Sequence, residues 1–208
     1  MSPHNDKSID PPSVLEHDLN KHFPELLTFG STKDLHASSL WKDISSEAER
    51  VLNAVVGENL SEATVGADCR MVRALAWNIE RGNVYDGIID GLKNHDGLKD
   101  KDLLLLTELD HGMARSGNRF VAQGIARELK LNYVFAPVYV ALQKGSGVES
   151  QVVGENQLSI HGLAMFSRYP MANVHAVPLP NGKDKMWGKE KRLGTLRALF
   201  ADIDHPAG

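Results

Sequence analysis

Two polar side chains, Asn78 and Glu108, each follow a short apolar run and are the first candidates for chemistry in this sequence. Asn78 comes after residues 71–77 (MVRALAW), and Glu108 comes after residues 102–107 (DLLLLT). If both runs are strands joined by a helix, they run parallel, and their carboxyl ends open at the sheet edge where α/β folds place ligands. We therefore expect the amide and the carboxylate to lie at one edge of one sheet.

A divalent cation at that edge would account for both side chains. A carboxylate at the end of four consecutive leucines is costly to bury without a partner, and Mg²⁺ takes oxygen ligands. The amide of Asn78 both donates and accepts hydrogen bonds, so it could orient a phosphate oxygen, a nucleophilic water or a neighbouring carboxylate. The alternative is structural: Asn78 caps a turn, and Glu108 pairs with Arg81 or another nearby base. Spacing alone favours this alternative.

The apolar spacing around the two residues predicts the elements that position them. Residues 71–79 and 102–108 are predicted strands, and Val84, Ile88 and Leu92 mark one face of a helix between them. The order of strand, helix, strand, helix and then several strands predicts an α/β fold with a mixed sheet, whose early β–α–β unit is parallel and right-handed. Further predicted elements are an amphipathic helix over about 41–56 that begins after Ser38 or Ser39, a helix capped by Ser116 with an apolar stripe of Val121, Ile125 and Leu129, and strands within 131–142, 158–167, 173–179 and 195–203.

Composition narrows the class of protein. The chain has 208 residues and a formal net charge of −4 at pH 7, which excludes the chain-wide basic surface typical of non-specific DNA binding. Cys69 is the only cysteine, so no internal disulfide and no multi-cysteine zinc site can form. No apolar run is long enough for a membrane span, and the first residues lack the apolar core of a secretory signal. A cytoplasmic protein is the expectation.

Three short motifs follow residue 70 in the order LAWNIERG, DLLLLTELD and HGLAMFSRYPM. Together they resemble the endonuclease/exonuclease/phosphatase superfamily, which includes exonuclease III, deoxyribonuclease I, neutral sphingomyelinases and inositol polyphosphate phosphatases. The first family motif is an apolar strand ending in W-N-I, and the second is an apolar strand ending in a glutamate usually preceded by glutamine, where this chain has Thr107. The third, G-x-A-x-x-S-x-x-P, is matched by Gly162, Ala164, Ser167 and Pro170. The resemblance covers roughly two thirds of the chain.

The resemblance implies a fold, a reaction and roles for two residues. The fold would be an α/β sandwich of two sheets flanked by helices, with residues 1–65 as an N-terminal extension and residues 69–208 as part of the family domain. Glu108 would be a ligand of Mg²⁺ or Mn²⁺, and Asn78 would help to hold the metal site or the scissile phosphate. The reaction would be hydrolysis of a phosphate ester in a nucleic acid, a phospholipid headgroup or an inositol phosphate.

Two later family motifs do not occur in this sequence. The family has a G-D-x-N segment and a terminal S-D-H; here HDLN (17–20) lies before the first motif, and DIDHP (202–206) lies where the family has an ordinary hairpin strand. We therefore expect the C-terminal part of the domain to be missing and the chain to be inactive alone. The alternative is a catalytically silent binding protein on the same scaffold. An unrelated nucleotide-binding module is disfavoured because no G-x-G-x-x-G or P-loop follows a strand.

Two histidines and two arginines are further candidates for substrate contacts. His161 begins the third motif and could contact phosphate or transfer a proton, although a hydrogen-bonded strand histidine is the commoner case. His111 follows Glu108 closely and could contact substrate, against the alternative of an exposed loop histidine. Arg115 and Arg119 could neutralise substrate phosphate, with solvated surface arginines as the default interpretation.

Overall fold

The computed structural model describes residues 9–61 and 71–206. Its α-helices are α1 (Phe23–Leu26), α2 (Thr32–His36), α3 (Ser39–Asn53), α4 (Tyr85–Asn94) and α5 (Val121–Leu129). Its strands are β1 (Val56–Glu58), β2 (Ala74–Arg81), β3 (Leu103–His111), β4 (Asn132–Ala141), β5 (Ile160–Ser167), β6 (Met171–Pro178), β7 (Arg192–Gly194) and β8 (Arg197–Ile203). Short 3-10 segments cover Pro12–Leu15, Leu19–His22, Ala114–Ser116 and Gly147–Gln151.

The strands form one large mixed sheet and one small sheet. The large sheet has the order β1-β4-β5-β3-β2, with β7 also paired to β4, and the small sheet consists of β6 and β8. All ten residues of β4 are buried, because helices α3 and α5 pack against this strand and the small sheet contacts it as well. A mixed α/β fold with a second sheet and flanking helices is therefore confirmed.

The β2–α4–β3 unit is parallel, as the apolar pattern predicts. Alternate leucines of β3, Leu104 and Leu106, are buried beneath the helical layer, and α4 contributes Ile88 and Leu92 from one face. Helix α5 buries Val121 and Ile125 in the same core, at the spacing of the predicted stripe. This packing fixes the positions of β2 and β3 relative to each other, and therefore those of Asn78 and Glu108 along the two strands.

The N-terminal part is better ordered and better packed than a loose extension. Helix α3 begins after the cap Ser38, whose Oγ accepts a hydrogen bond from the Trp41 N–H, as predicted. Ahead of it, however, Leu15, Leu19 and Leu26 are fully buried in the main core. Strand β1 pairs with β4, so the region before residue 65 also contributes to the large sheet. The polar, proline-containing sequence before residue 38 predicts a loose extension, and for the described residues 9–37 this prediction is wrong.

Three local features differ from the prediction. The charged sequence 181–192 predicts a hairpin loop, and strand β7 begins at its last residue, Arg192, and pairs with β4 over Tyr139–Ala141. Ser116 does not cap α5; its Oγ donates to the carbonyl of Met113 within a 3-10 turn. The continuous leucine run predicts a strand covered on both faces, but Leu105 of β3 is 39% exposed. The expectation that further strands follow residue 208 stays a prediction.

No helix in residues 9–61 and 71–206 is long and apolar enough to cross a membrane.

Candidate functional site

Strands β2 and β3 each carry an irregularity at the level of the two candidate residues. Asn78 lies opposite Thr107 in the parallel register, which then shifts so that Arg81 lies opposite Leu109. The pairing of β3 with β5 shifts at the same place, between Thr107 and Leu109. Neither strand ends where predicted, because β2 continues to Arg81 and β3 continues to His111. The candidate residues therefore lie at bulges inside the strands rather than at strand ends.

The bulges force non-glycine residues into left-handed backbone conformations. Glu80, Arg81 and Glu108 have φ angles of 46°, 69° and 59°. Such conformations cost free energy for residues with a Cβ, and they concentrate at active sites and ligand clamps. A bulge also redirects the side chains that follow it, which is how Glu108 and Arg81 come to face each other across adjacent strands.

The two candidate side chains have modest protein contacts of their own. The Asn78 Oδ1 accepts a hydrogen bond of 3.0 Å from the Glu80 N–H, so Asn78 does cap the turn of its bulge. Glu108 Oε2 lies 3.8 Å from Arg81 Nη1, and the Glu108 side chain is 36% exposed. Both halves of the structural alternative are therefore observed. An ion pair of that length on a partly exposed carboxylate still leaves its oxygens accessible to a cation or a water.

Glu108 is one end of a chain of charged side chains, which we call the charge network: Glu108, Arg81, Glu149, Arg115, Asp110 and His161. Arg81 Nε lies 3.2 Å from Glu149 Oε1, and Arg115 Nη1 donates to Glu149 Oε2 at 3.0 Å. Arg115 also donates two hydrogen bonds to Asp110, one of 2.7 Å from Nε and one of 2.9 Å from Nη2. Asp110 and Glu149 are not among the residues predicted from the sequence; the acid–base spacing in ELDHGMARS was an available signal for Asp110, and Glu149 had none.

Asp110 and Arg115 form the buried part of the charge network. Asp110 is fully buried and the Arg115 side chain is 5% exposed, so Arg115 is not the solvated surface arginine of the default interpretation. Burial alone would raise the pKa of Asp110, but hydrogen bonds from His161 and Arg115 outweigh it and hold that pKa below its ordinary value. Burial alone would lower the pKa of Arg115, and Asp110 and Glu149 reverse this. The pair is therefore charged, and each member depends on the other.

His161 is tied to this buried pair. Its Nδ1 lies 2.9 Å from Asp110 Oδ1. Because an ionised carboxylate only accepts hydrogen bonds, Nδ1 must carry the proton, and Nε2 is the nitrogen left to accept a proton or to contact a ligand. His161 and Arg115 line one small cavity together with Glu190 and Arg192. The structure thus brings His161 to the charge network; its contact with substrate stays a prediction.

His111 lies in different surroundings. Its ring stacks on Phe120 at a centroid distance of 4.1 Å, and its Nδ1 is buried with no hydrogen-bond partner among the described residues. Burial, reinforced by the charge of nearby His17, lowers the pKa of His111 to about 4. Within the described ranges, no side-chain hydrogen bond or ion pair joins the His111 ring to the charge network, and its role as a substrate contact also stays a prediction.

We expect these two histidines to make the fold sensitive to mild acid. His17 also has a lowered pKa, mainly from burial, and its Nδ1 accepts from the Leu19 N–H, which a second ring proton would prevent. In the unfolded chain His111 takes up a proton near pH 6.5, whereas in the folded chain it does so only near pH 4. Stability is therefore full above pH 6.5 and is lost as the pH falls; His111 alone accounts for on the order of 2 kcal/mol between pH 6.5 and 4.5. Urea denaturation at the two pH values measures this loss.

The control is His111→Phe, which keeps a ring against Phe120 and removes the titration. The loss in the free energy of unfolding between the two pH values should be smaller in this variant. The loss that remains should come from protonation of His17. A loss of the same size in both proteins would contradict the assignment to His111.

The site offers a divalent cation two protein side chains with oxygen atoms, Glu108 and Asn78. Across the residues that the structure describes, no three His, Cys, Asp or Glu side chains are grouped closely enough to hold a metal ion. Mg²⁺, however, is commonly bound by one or two protein oxygens together with waters and substrate phosphates. The partly exposed carboxylate of Glu108 and the exposed amide of Asn78 match that donor set.

A cleft among the described residues lies away from the charge network. Its volume is about 410 Å³, and it is at the opposite end of β3, lined among others by Leu104, Lys99, Leu131 and Arg168. None of the predicted site residues lines it.

Comparison with models of known protein families, with curated proteins and with solved structures gave no match. The resemblance to the endonuclease/exonuclease/phosphatase superfamily therefore depends on the three sequence motifs alone.

Proposed function

We propose that this chain belongs to a divalent-metal-dependent phosphoesterase of the endonuclease/exonuclease/phosphatase type. The observation that carries the proposal is the pair of bulges at one level of two parallel strands, with Asn78 on one strand and Glu108 on the other. Backbone strain at matched positions of neighbouring strands is expensive in a merely structural sheet and common at catalytic sites. The motif order LAWNI, LLLLTE and GLAMFSRYP supports the same assignment.

The proposed roles follow from the chemistry of each side chain. Glu108, with Asn78, would hold Mg²⁺ or Mn²⁺, which when bound supplies positive charge to the phosphoryl oxygens and the leaving oxygen. The Asn78 Oδ1 accepts from the Glu80 N–H and, with its second lone pair, can also face the cation, while the amide nitrogen can donate to a phosphate oxygen. His161, with Nδ1 fixed by Asp110, can offer Nε2 to a phosphate oxygen or to a proton in transfer.

The proposal includes a class of substrate, the phosphate esters, and a cytoplasmic location. A phosphate ester of a nucleic acid, a phospholipid headgroup or an inositol phosphate is compatible with this set of side chains. A single cysteine, Cys69, agrees with a reducing cytoplasm.

A second candidate is a catalytically silent binding protein on the same scaffold. It is favoured by one observation: the Glu108–Arg81 ion pair and the Asn78–Glu80 hydrogen bond give both candidate residues partners within the protein.

A hydrolysis assay separates the two candidates. The full-length protein is incubated with a chromogenic phosphodiester, a phospholipid and an inositol phosphate, each with Mg²⁺, with Mn²⁺ and with a chelator. The enzyme proposal predicts turnover of at least one substrate that the chelator abolishes and either cation restores. Binding of a phosphate ester without turnover under every condition would favour the silent protein.

A further inference from the structure

The carboxylate of Glu149 lies between two arginines. Its Oε1 is 3.2 Å from Arg81 Nε, and its Oε2 accepts from Arg115 Nη1 at 3.0 Å. Two guanidinium groups beside the two oxygens of one carboxylate form an arrangement that can bind phosphate as well. Arg81 is also incompletely satisfied, because its buried Nε makes no hydrogen bond of acceptable geometry with any described residue.

Besides the ion pairs of Glu149, a hydrogen bond between Ser146 and Glu190 and one of 3.4 Å from Lys144 Nζ to the Val152 carbonyl flank the turn. Glu149 belongs to the 3-10 turn Gly147–Gln151, in which no residue is buried. The apolar side chains next to it, Val148 and Val153, are 82% and 94% exposed. A turn without buried apolar side chains opens at low free-energy cost, so the two ion pairs of Glu149 supply much of what holds it against the site.

The charges around Arg81 and Arg115 permit a one-for-one exchange of Glu149 for another anion. Glu108, Glu149 and Asp110 carry three negative charges against the two positive charges of Arg81 and Arg115. Asp110 cannot leave, because it is fully buried and paired with Arg115. Glu149 can, because its side chain is 16% exposed at the end of an exposed turn, and release returns its carboxylate to water. A phosphate monoanion in its place would keep the number of negative charges beside Arg81 and Arg115 unchanged.

We infer that Arg81 and Arg115 form a phosphate-binding site that Glu149 occupies as an internal substitute when no phosphate is bound. The turn Gly147–Gln151 then acts as a strap, which phosphate displaces. The inference deepens the proposed function, on which it rests for the identity of the anion as the substrate's phosphate group. Arg81 also contacts Glu108, so phosphate on this pair would lie next to the proposed metal ligand.

Binding of inorganic phosphate tests this site without any metal or turnover. The full-length protein and its Glu149→Gln variant are titrated with phosphate by calorimetry in the absence of divalent cations. If Glu149 occupies the arginines about nine tenths of the time, its removal should tighten phosphate binding about tenfold. Adding Arg81→Met to Glu149→Gln should abolish this gain.

The matched control is Glu155→Gln in the same loop. The Glu155 side chain is 87% exposed and pairs with Lys144 at 3.0 Å, so its removal changes the net charge equally without freeing either arginine. Phosphate binding by this variant should equal that of the wild type. An equal gain in the control, no gain in Glu149→Gln, or a gain that survives Arg81→Met would each overturn the inference.

Hydrogen exchange on the unmodified protein gives a second readout that needs no variant. Phosphate should speed amide exchange across residues 147–151, because the strap is released, and unchanged exchange there at saturating phosphate would overturn the inference. Failure of the proposed function is a separate result. If Glu149→Gln binds phosphate more tightly but the protein hydrolyses no substrate, the phosphate-binding site is supported and the phosphoesterase proposal is contradicted.

Discussion

Replacing Glu108 with glutamine is expected to lower metal-dependent hydrolysis by the full-length protein at least about a hundredfold, because loss of residues that merely support metal ligands already costs 10- to 100-fold. The substitution keeps the size of the side chain and removes the charge that would hold the cation. It also releases Arg81 from an ion pair of only 3.8 Å, which contributes little to stability at a partly exposed site. The fold should therefore survive while activity is lost.

The measurement is kcat/KM as a function of Mg²⁺ concentration, with circular dichroism to verify folding. Glu128→Gln is the control, because this glutamate is 48% exposed and forms a surface ion pair with Lys93 in the helical layer. The control should keep wild-type activity and metal dependence. Unchanged turnover in Glu108→Gln would remove Glu108 from its proposed role.

Substituting Asp110 with asparagine is expected to destabilise the fold by about 3 kcal/mol, because breaking a buried ion pair leaves an uncompensated charge. Asp110 is fully buried and receives two hydrogen bonds from Arg115 and one from His161. An asparagine side chain offers one acceptor oxygen and directs an NH₂ group toward a donor. Glu149 still partners Arg115 in the variant, which moderates the cost.

Asp100→Asn is the matched comparison. Asp100 pairs with Arg168 at 3.4 Å, but its side chain is 62% exposed, and an exposed pair of this kind contributes at most about 1 kcal/mol. Urea denaturation of the two variants at neutral pH should therefore give clearly different losses in the free energy of unfolding. Equal losses would mean that the Asp110–Arg115 pair is not the structural anchor of the site.

The regular elements around the site could be predicted because their signals are local. The leucine run of β3, the face of Ile88 and Leu92 on α4 and the cap Ser38 on α3 depend on residues a few positions apart. The parallel pairing of β2 with β3 follows from the helix between them, since a crossover of that kind joins parallel strands.

The details of the site could not be predicted in the same way. A bulge depends on how two strands fit each other, and no residue pattern within β2 alone indicates that its register shifts after Asn78. The ion pairs of the charge network join residues far apart in sequence, such as Arg115 and Glu149. The polar, glycine-rich sequence 144–157 around Glu149 predicts a surface loop, which describes the exposure of this segment and not its contacts.

The N-terminal region shows a related limit. Leu15, Leu19 and Leu26 are set among polar residues, in turns too short to show a helical period. Their burial is decided by the sheet and helices that they cover, and sequence spacing carries no sign of that surface.

The most direct test of the central claim, that Asn78 and Glu108 hold one cation, is paramagnetic relaxation by Mn²⁺ in the NMR spectrum of the protein. Bound Mn²⁺ should broaden the backbone amides around residues 78–81 and 107–110 together, at the same Mn²⁺ concentration, and the broadening should disappear in Glu108→Gln. Broadening around one strand without the other, or at both strands in a manner that Glu108→Gln does not change, would contradict the shared site.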